Sequence, residues 1–486
     1  MNIKKMNYRR KYGLTFLLSL TVMHAMAQQP LTLDDCRRLA IENNKALKMA
    51  DAEVESSRAQ KREAFTKYLP AIDLSGMYLR NEKGISLLAE DAHLPVGTID
   101  ADGKFTFRPD QLLMGPDGNP VMVNGRPVPK DVALLPKSSM MLDAKDMGFL
   151  QVGVTQPVYM GGKVRAYNEM AGLAERLAES NRSRELQDVI LATDEAYWQI
   201  VALSHRWKMV EKYVETMKKL EHDIRLMYEH GVVTKAEILQ VAVKLNEAEM
   251  NLVKVEDGLT LSRMVLNQLC GLELGEVVPL QEEVVEEEAK PVLPLPMKQV
   301  FQHRPEVSSL QYARDIYRKK ERIALSEYLP NVALMANWLS TSPSSFDGIS
   351  TKFEGMWSVG VGVRVPIVHW GASRKSLKHT RAQTEIVGLK LEEAKEKIEL
   401  QVRQSEFKVK EVERKLAMAR KNQEKAVENL KFAELGFQEG TIPVLNLLEA
   451  QTAWLQAHSE LIEARIEARL SEVYLRRAYG VLGVGS

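Results

Sequence analysis

Apolar residues recur along this chain with two periods, and the two alternate in the same order twice. Val189, Thr193, Ala196, Ile200, Leu203, Trp207, Val210, Val214 and Met217 follow a 4-3 spacing. That is a coiled-coil seam, whose 3.5-residue period implies left-handed supercoiling. No proline occurs from Lys163 to His230, and the only glycine is Gly172, so one long helix is predicted there. The same seam returns 209 residues later as Ile398, Val402, Ser405, Val409, Val412, Leu416, Ala419, Gln423 and Ala426, with Ser405 and Gln423 as polar interruptions. Elsewhere the period is two. In "VALMANW", Val332, Leu334, Ala336 and Trp338 share one face and Ala333, Met335 and Asn337 the other. In "WSVGVGVRVPI", Trp357, Val359, Val361, Val363, Val365 and Ile367 face one way, and Ser358, Gly360, Gly362 and Arg364 the other. Such alternation reads as strands that send an apolar row outward and a small or polar row inward. Strands are expected at about 70–79, 149–158, 330–339 and 357–367.

The joints between the two periods also repeat. "AFTKYLPAIDL" (64–74) and "ALSEYLPNVAL" (324–334) both run from helix into strand, and Pro70 and Pro330 bar the helix from continuing. "VGVTQPVYMGG" (152–162) matches "VGVRVPIVHWG" (361–371), which aligns Pro157 with Pro366 and Gly162 with Gly371. From there to Gly271 and Gly480 the offset stays at 209, whereas at Tyr-Leu-Pro it is 260. The excess of 51 residues therefore lies in a long loop, 80–147, between the strands of the first half. Within it, Asn124-Gly125 in "VMVNGRPV" is a type I′ hairpin signal. The expected organisation is a first repeat at 28–271, a linker at 272–296 and a second repeat at 297–486. Each half reads helix, strand, loop, strand, long helix, tight turn, helix, so the class is mainly α with a small β part.

The helix lengths fit one another. Lys163–His230 would span about 102 Å, and the predicted helices over 34–68 and 235–270 about 52 and 54 Å. Two short helices end to end equal one long one, which places 272–296 at mid-height. Turns at Gly231–Thr234 and Gly440–Pro443 reverse the chain, with Thr234-Lys-Ala-Glu237 a capping box and Pro443 suited to a first helical turn. Four strands cannot close a membrane barrel, since barrels begin at about eight strands. Oligomerisation is required, and a trimer supplies twelve.

The N-terminus adds a compartment. Lys4, Lys5, Arg9, Arg10 and Lys11 precede "YGLTFLLSLTVM", and Ala25-Met-Ala27 offers a cleavage site, so 1–27 reads as a signal peptide. A net charge of +1 gives no footprint for nucleic acid. Catalytic and metal constellations such as His-Glu-x-x-His, Cys-x-x-Cys or Gly-x-Ser-x-Gly are missing from the sequence, so neither an enzyme nor a cofactor is expected. Cys36 and Cys270 are the only cysteines; export permits a disulfide, but free buried cysteines are common and are the favoured expectation. The acidic run 282–288 reads as a solvated surface. At the turns, Glu237 and Gln240 align with Asn446 and Glu449, and each pair shares one helix face. Each turn thus carries one carboxylate and one amide in swapped order, and a trimer would repeat the carboxylates as rings.

Order, spacing and duplication together resemble the TolC-like outer membrane efflux protein family over essentially the whole mature chain. The resemblance implies a homotrimer with a twelve-strand barrel in outer-membrane lipid of a Gram-negative bacterium, continued by a helical tunnel in the periplasm. It implies an exit duct for small molecules, with a periplasmic adaptor and an inner-membrane pump of RND or ABC type as partners. Gly231, Thr234, Gly440, Thr441 and Pro443 would meet the adaptor, and Glu449, Asn446, Glu237 and Gln240 would line a constriction. Asn446 departs from the family by replacing an acid, and Trp370 departs by standing where a first glycine is usual. The rival readings are a duct for type I polypeptide secretion and a soluble periplasmic coiled-coil scaffold.

Overall fold

The structure is a computed structural model, and it describes residues 30–142, 144–281, 293–344, 346 and 352–483. The signal segment and the acidic run 282–288 lie outside the described residues. Helices α1 (Leu33–Asn43) and α2 (Lys45–Thr66) lead to β1 (Ala71–Arg80), and β2 (Asp146–Met160) leads to α3 (Lys163–Glu229) and α4 (Lys235–Cys270). The second half repeats the order as α5 (Met297–His303), α6 (Pro305–Ser326), β3 (Asn331–Ser342), β4 (Glu354–Arg364), α7 (Ala372–Gln438) and α8 (Val444–Tyr479). The chain divides into a helical unit, within 30–62, 166–321 and 375–483, and a sheet unit, within 63–165 and 322–374.

One expectation is corrected. The first helix does not run unbroken from Leu33 to Tyr68 but stops at Asn44, whose backbone is extended (φ −60°, ψ 128°). The Asn44 side chain accepts from the Ala46 N–H at 2.9 Å, offering the backbone a local alternative to the helix. The second half breaks at the aligned position, Arg304 (φ −79°, ψ 113°), because Pro305 drives the preceding residue out of the α region. Both breaks serve one purpose. Gly271 and Gly480 end α4 and α8 with φ of 73° and 76°. A Cβ at Gly271 would sit 2.5 Å from Asn43, and one at Gly480 would sit 2.8 Å from the His303 backbone. Each half therefore seats the end of its last helix on the break in its first, and only glycine fits both the left-handed backbone and the space.

The Tyr-Leu-Pro joints are single tight turns that repeat bond for bond. Lys67, Tyr68 and Leu69 donate to the carbonyls three residues back, and so do Glu327, Tyr328 and Leu329. The four strands form one antiparallel sheet in the order β1-β2-β3-β4. β4 stops at Arg364, short of the expected Ile367, since Pro366 has no N–H for the ladder. The register sorts the side chains as the alternation predicts. Ile72, Val154, Ala336 and Val359 lie in one row and Leu74, Val152, Trp338 and Trp357 in the next, all on one face. Asp73, Gly153, Asn337 and Ser358 form a row on the other face, where Gln151 Nε2 donates to Asn337 Oδ1 at 3.3 Å. In the loop 80–147, Met122–Val123 pairs with Arg126–Pro127 around Asn124 (φ 53°) and Gly125 (φ 76°), the anticipated hairpin. Trp370 takes the same left-handed conformation (φ 49°) as its aligned Gly161 (φ 60°), so the turn keeps its backbone without the glycine. Gly161 is the constrained copy, since a Cβ there would meet Ser326 O at 2.8 Å.

In the helical unit the predicted seam is the core. Val189, Thr193, Ala196, Ile200, Val210, Val214 and Met217 are buried, as are Ile398, Val402, Val412, Ala419 and Ala426 in the second half. Each such aliphatic side chain, fully buried, contributes about 1.5–3 kcal/mol. Residue Leu31 pairs with Leu280, Leu31 N–H donating to Pro279 O at 2.9 Å and Gln281 N–H to Leu31 O at 3.0 Å. Among the described residues, no helix is long and apolar enough to cross a membrane.

Candidate functional site at the paired helix turns

Both long helices end in the same hydrogen-bonded turn. Gly231 (φ 73°) follows α3, and the Val232 N–H reaches back to Met227 O at 2.8 Å. Gly440 (φ 67°) follows α7, and the Thr441 N–H reaches back to Gly436 O at 2.8 Å. This six-to-one closure satisfies carbonyls that the helix end would otherwise orphan. The Thr441 hydroxyl also donates to Gly436 O, at 2.9 Å. The chain then restarts differently in the two halves. At α4 the Glu237 carboxylate accepts from the Thr234 N–H at 2.6 Å and from its hydroxyl at 3.0 Å, which is the expected capping box. At α8 Pro443 is the residue before the first turn rather than within it, and its carbonyl accepts from the Asn446 N–H at 3.1 Å.

The two turns share one apolar core. Val210, Tyr213, Val214, Met217, Leu220 and Ile224 of α3 pack with Val241 and Ala248 of α4, Ala433 of α7, and Val444, Leu447, Leu448 and Ala450 of α8. Val233, Ile238, Phe437 and Ile442 lean on its edge. The four polar candidates stand outside it. Gln240, Asn446 and Glu449 are exposed, and Glu237 is half-buried with its carboxylate held by the cap. Glu449 makes no hydrogen bond or ion pair among the described residues. It is thus the unengaged carboxylate of the four positions, and a narrowing built from these residues needs further copies of the chain.

Sequence reasoning missed the buried ionic joints of the helical unit. In the second half Arg477 donates to Asp188 at 2.7 Å and to Glu306 at 3.0 Å, while Arg304 donates to Glu306 at 3.0 Å and to the carbonyls of Arg477 and Ala478. Burial raises the Glu306 carboxyl, but Arg304 and Arg477 outweigh it and hold the group below its ordinary 4.5. In the first half Arg37 grips Asp194 through two bonds of 2.7 and 2.6 Å. There burial wins, and the Asp194 carboxyl sits above its ordinary 3.8 despite that partner. The only hint of these joints in the sequence is charge at seam-adjacent positions. Cys36 and Cys270 are both buried and free, the Cys270 thiol donating to Cys36 O at 3.5 Å. Among the described residues no cluster of three or more His, Cys, Asp or Glu could hold a metal ion.

Residues 297–481 match the family described as "Outer membrane efflux protein". The outer membrane protein TolC of Escherichia coli K12 is 22% identical over 342 residues, 68% of this chain and 68% of its own length. The CmeC outer membrane channel of Campylobacter jejuni superposes with a TM-score of 0.73 at 16% identity, covering 93% of this chain and 87% of CmeC. The open-state MtrE outer membrane channel of Neisseria gonorrhoeae gives 0.70 at 15% identity, covering 92% and 88%.

Proposed function

We propose that this TolC-like outer membrane efflux protein, located in the Gram-negative outer membrane and extending into the periplasm, works as a homotrimeric exit duct. The observation that carries this reading is a pair of surfaces left bare in one chain. The sheet has two free edges, β1 and β4, and an apolar face on which Ile72, Leu74, Trp357, Val359 and Val361 are all exposed. Water would penalise that face and lipid would not. Three sheets joined edge to edge make twelve strands, remove every free edge and turn the row of Asp73, Asn337 and Ser358 toward a lumen. The second bare surface lies on α4. Leu239, Val243, Met250 and Val253 keep a 4-3 register, and they and Leu261 are exposed among the described residues; a neighbouring subunit would cover them.

In this reading the duct stores no energy. An inner-membrane pump of RND or ABC type loads small molecules through a periplasmic adaptor, and the adaptor engages the turns at Gly231–Thr234 and Gly440–Pro443. Gly440→Val tests that contact, because a β-branched residue resists φ near 67°. Adaptor-dependent export should fall while trimers persist in detergent. Recovery of the wild-type protein as a soluble periplasmic monomer would overturn the duct, and export unchanged in Gly440→Val would remove the adaptor from this turn.

A further inference from the structure

We propose that the segment leaving β4 and opening α7 is a docking surface for anionic phospholipid headgroups, an inference that rests on the membrane reading above. Three observations meet there. First, the segment is apolar and uncovered. Val365 and Val368 are exposed, and Ile367 and Trp370 are 90% and 92% exposed, so they rank among the barest large side chains of the described residues. Second, between Glu354 and Glu385 there is no carboxylate, while Arg364, Arg374, Lys375, Lys378 and Arg381 contribute five cations. Arg364 lies on the polar face of the sheet with Ser358 and belongs to that face. The other four are exposed on the first turns of α7, and none forms an ion pair among the described residues. Elsewhere on the same helix cations find partners, as Lys397 does in Glu393 and Arg403 in Glu399. Third, the placement opposes local stability. Arg374 and Lys375, in the first turn, meet the positive end of the dipole, where acids are preferred, and α7 has no acid there.

An anionic, apolar-backed surface answers all three. Trp and aliphatic residues settle at the headgroup level, where an amphipathic ring has one side apolar and one wet. Lys and Arg just beyond the apolar band meet lipid phosphates. The first half shows what the arrangement would be without such a role. Its matching exit, from Asp146 to Glu169, holds only Lys163 and Arg165, and its aligned residue for Trp370 is Gly161.

The full-length mature protein in nanodiscs provides the test. One set contains phosphatidylethanolamine alone and the other phosphatidylethanolamine with phosphatidylglycerol. Native mass spectrometry should find phosphatidylglycerol retained on the wild-type trimer well above its share of the bilayer. Each cation removed should lower that preference about fivefold at most, so R374Q/K375Q/K378Q/R381Q should abolish it while leaving the trimer intact. W370A should reduce retention of both lipids. Equal retention of the two lipids by the wild type, or an unchanged preference in the quadruple variant, overturns the proposal. So does competition by soluble glycerol phosphate, which would make the cluster a free-anion site. If the quadruple variant dissociates, the single charge reversal R374E replaces it, and a preference unchanged there overturns the proposal. Failure of the wild type to insert into either bilayer would instead reject the membrane reading itself.

Discussion

Helices α4 and α8 hold the same place in the two halves and have 36 residues each, yet the chain treats them differently. On α4, Val241, Ala248, Val255, Leu259 and Leu266 are buried, while the parallel stripe through Leu239, Met250 and Leu261 is bare. On α8 both stripes are covered or partly covered. Leu448, aligned with Leu239, is 2% exposed against 56%. One sequence pattern occurs twice, but among the described residues only the copy on α8 finds packing partners for this stripe. The sheet repeats the lesson, since β2 and β3 are paired on both sides while β1, from the first half, and β4, from the second, are edges. Copies alike in sequence thus differ in what covers them, and under the trimer proposal the uncovered stripe and the two edges are where a neighbouring subunit would sit.

The largest effect should come from placing a charge in the covered copy. Leu448→Asp puts an unpaired carboxylate into the core shared by α3, α4, α7 and α8, and the expected cost exceeds about 4 kcal/mol. Circular dichroism should show loss of the folded chain. Met250→Asp makes the same chemical change on the bare stripe, so helix content should survive while the trimer is lost on a native gel. If Met250→Asp also unfolds the chain, or leaves trimers intact, the contrast between the copies is wrong.

A second contrast sets the faces of the sheet against each other. Val361→Arg, on the apolar face, should cost about 2–4 kcal/mol in lipid near mid-bilayer. Gly362→Arg, on the polar face, should be milder, because the atom a Cβ would meet is the mobile end of Met335. One repeat earlier, Val152→Arg and Gly153→Arg should rank the same way. Urea unfolding in liposomes would measure all four, and equal small losses at Val361 and Gly362 would reject the assignment of faces.

Acid should separate the ionic joints of the two halves. The Glu306 carboxyl is held below its ordinary 4.5, so its contribution is complete above that value and is lost as pH falls through the folded-state value. The Asp194 carboxyl is raised above 3.8, so the folded form takes up its proton first, and acidification relieves rather than removes stability there. Melting temperatures from pH 7 down to 3.5 should therefore show the disadvantage of Glu306→Gln constant above about pH 4.5 and shrinking as pH falls below it. Asp194→Asn should keep or enlarge its own. Parallel curves for the two variants would mean that the joints are electrostatically alike.

How much of this was legible in the sequence depends on the range of the interaction. The seams were readable because a 4-3 spacing of apolar residues is written locally, and the strands because alternation is. The capping box at Thr234 and the hairpin at Asn124-Gly125 follow from chemistry three residues long. The break at Arg304 could have been read from Pro305. That at Asn44 could not, because the helical pattern runs on through it and the residue seated against the break, Gly271, is distant in sequence. The joints of Arg477 with Asp188 and Glu306 join residues 289 and 171 positions apart, and no period reports such pairs. Which stripe of α4 stays bare was equally hidden, since apolar residues line both at helical spacing.

The smallest change, one without expected cost in stability, tests whether the swapped order of carboxylate and amide at the turns has a function. Glu237 and Gln240 begin α4, and Asn446 and Glu449 begin α8. Glu237 is engaged by the Thr234 cap, and Gln in its place keeps an oxygen that can accept those bonds, so Glu237→Gln should cost its turn little. Glu449 has no such bond, and among the described residues it has no partner for its charge. In a trimer three copies of Glu449 would form a ring of like charges beside the turns, and a ring of carboxylates at a narrowing favours cations. Glu449→Gln keeps the size of the side chain and removes the charge. Trimer stability should be unchanged, while single-channel recordings in planar bilayers should show altered conductance and weaker cation preference. Asn446→Asp should shift selectivity the other way, by adding a second ring one helical turn away. If Glu449→Gln conducts like the wild type, the ring is elsewhere and Glu449 is solvated surface charge. If Glu237→Gln alone changes selectivity, the capped carboxylate of the first half, rather than the free one of the second, faces the passage.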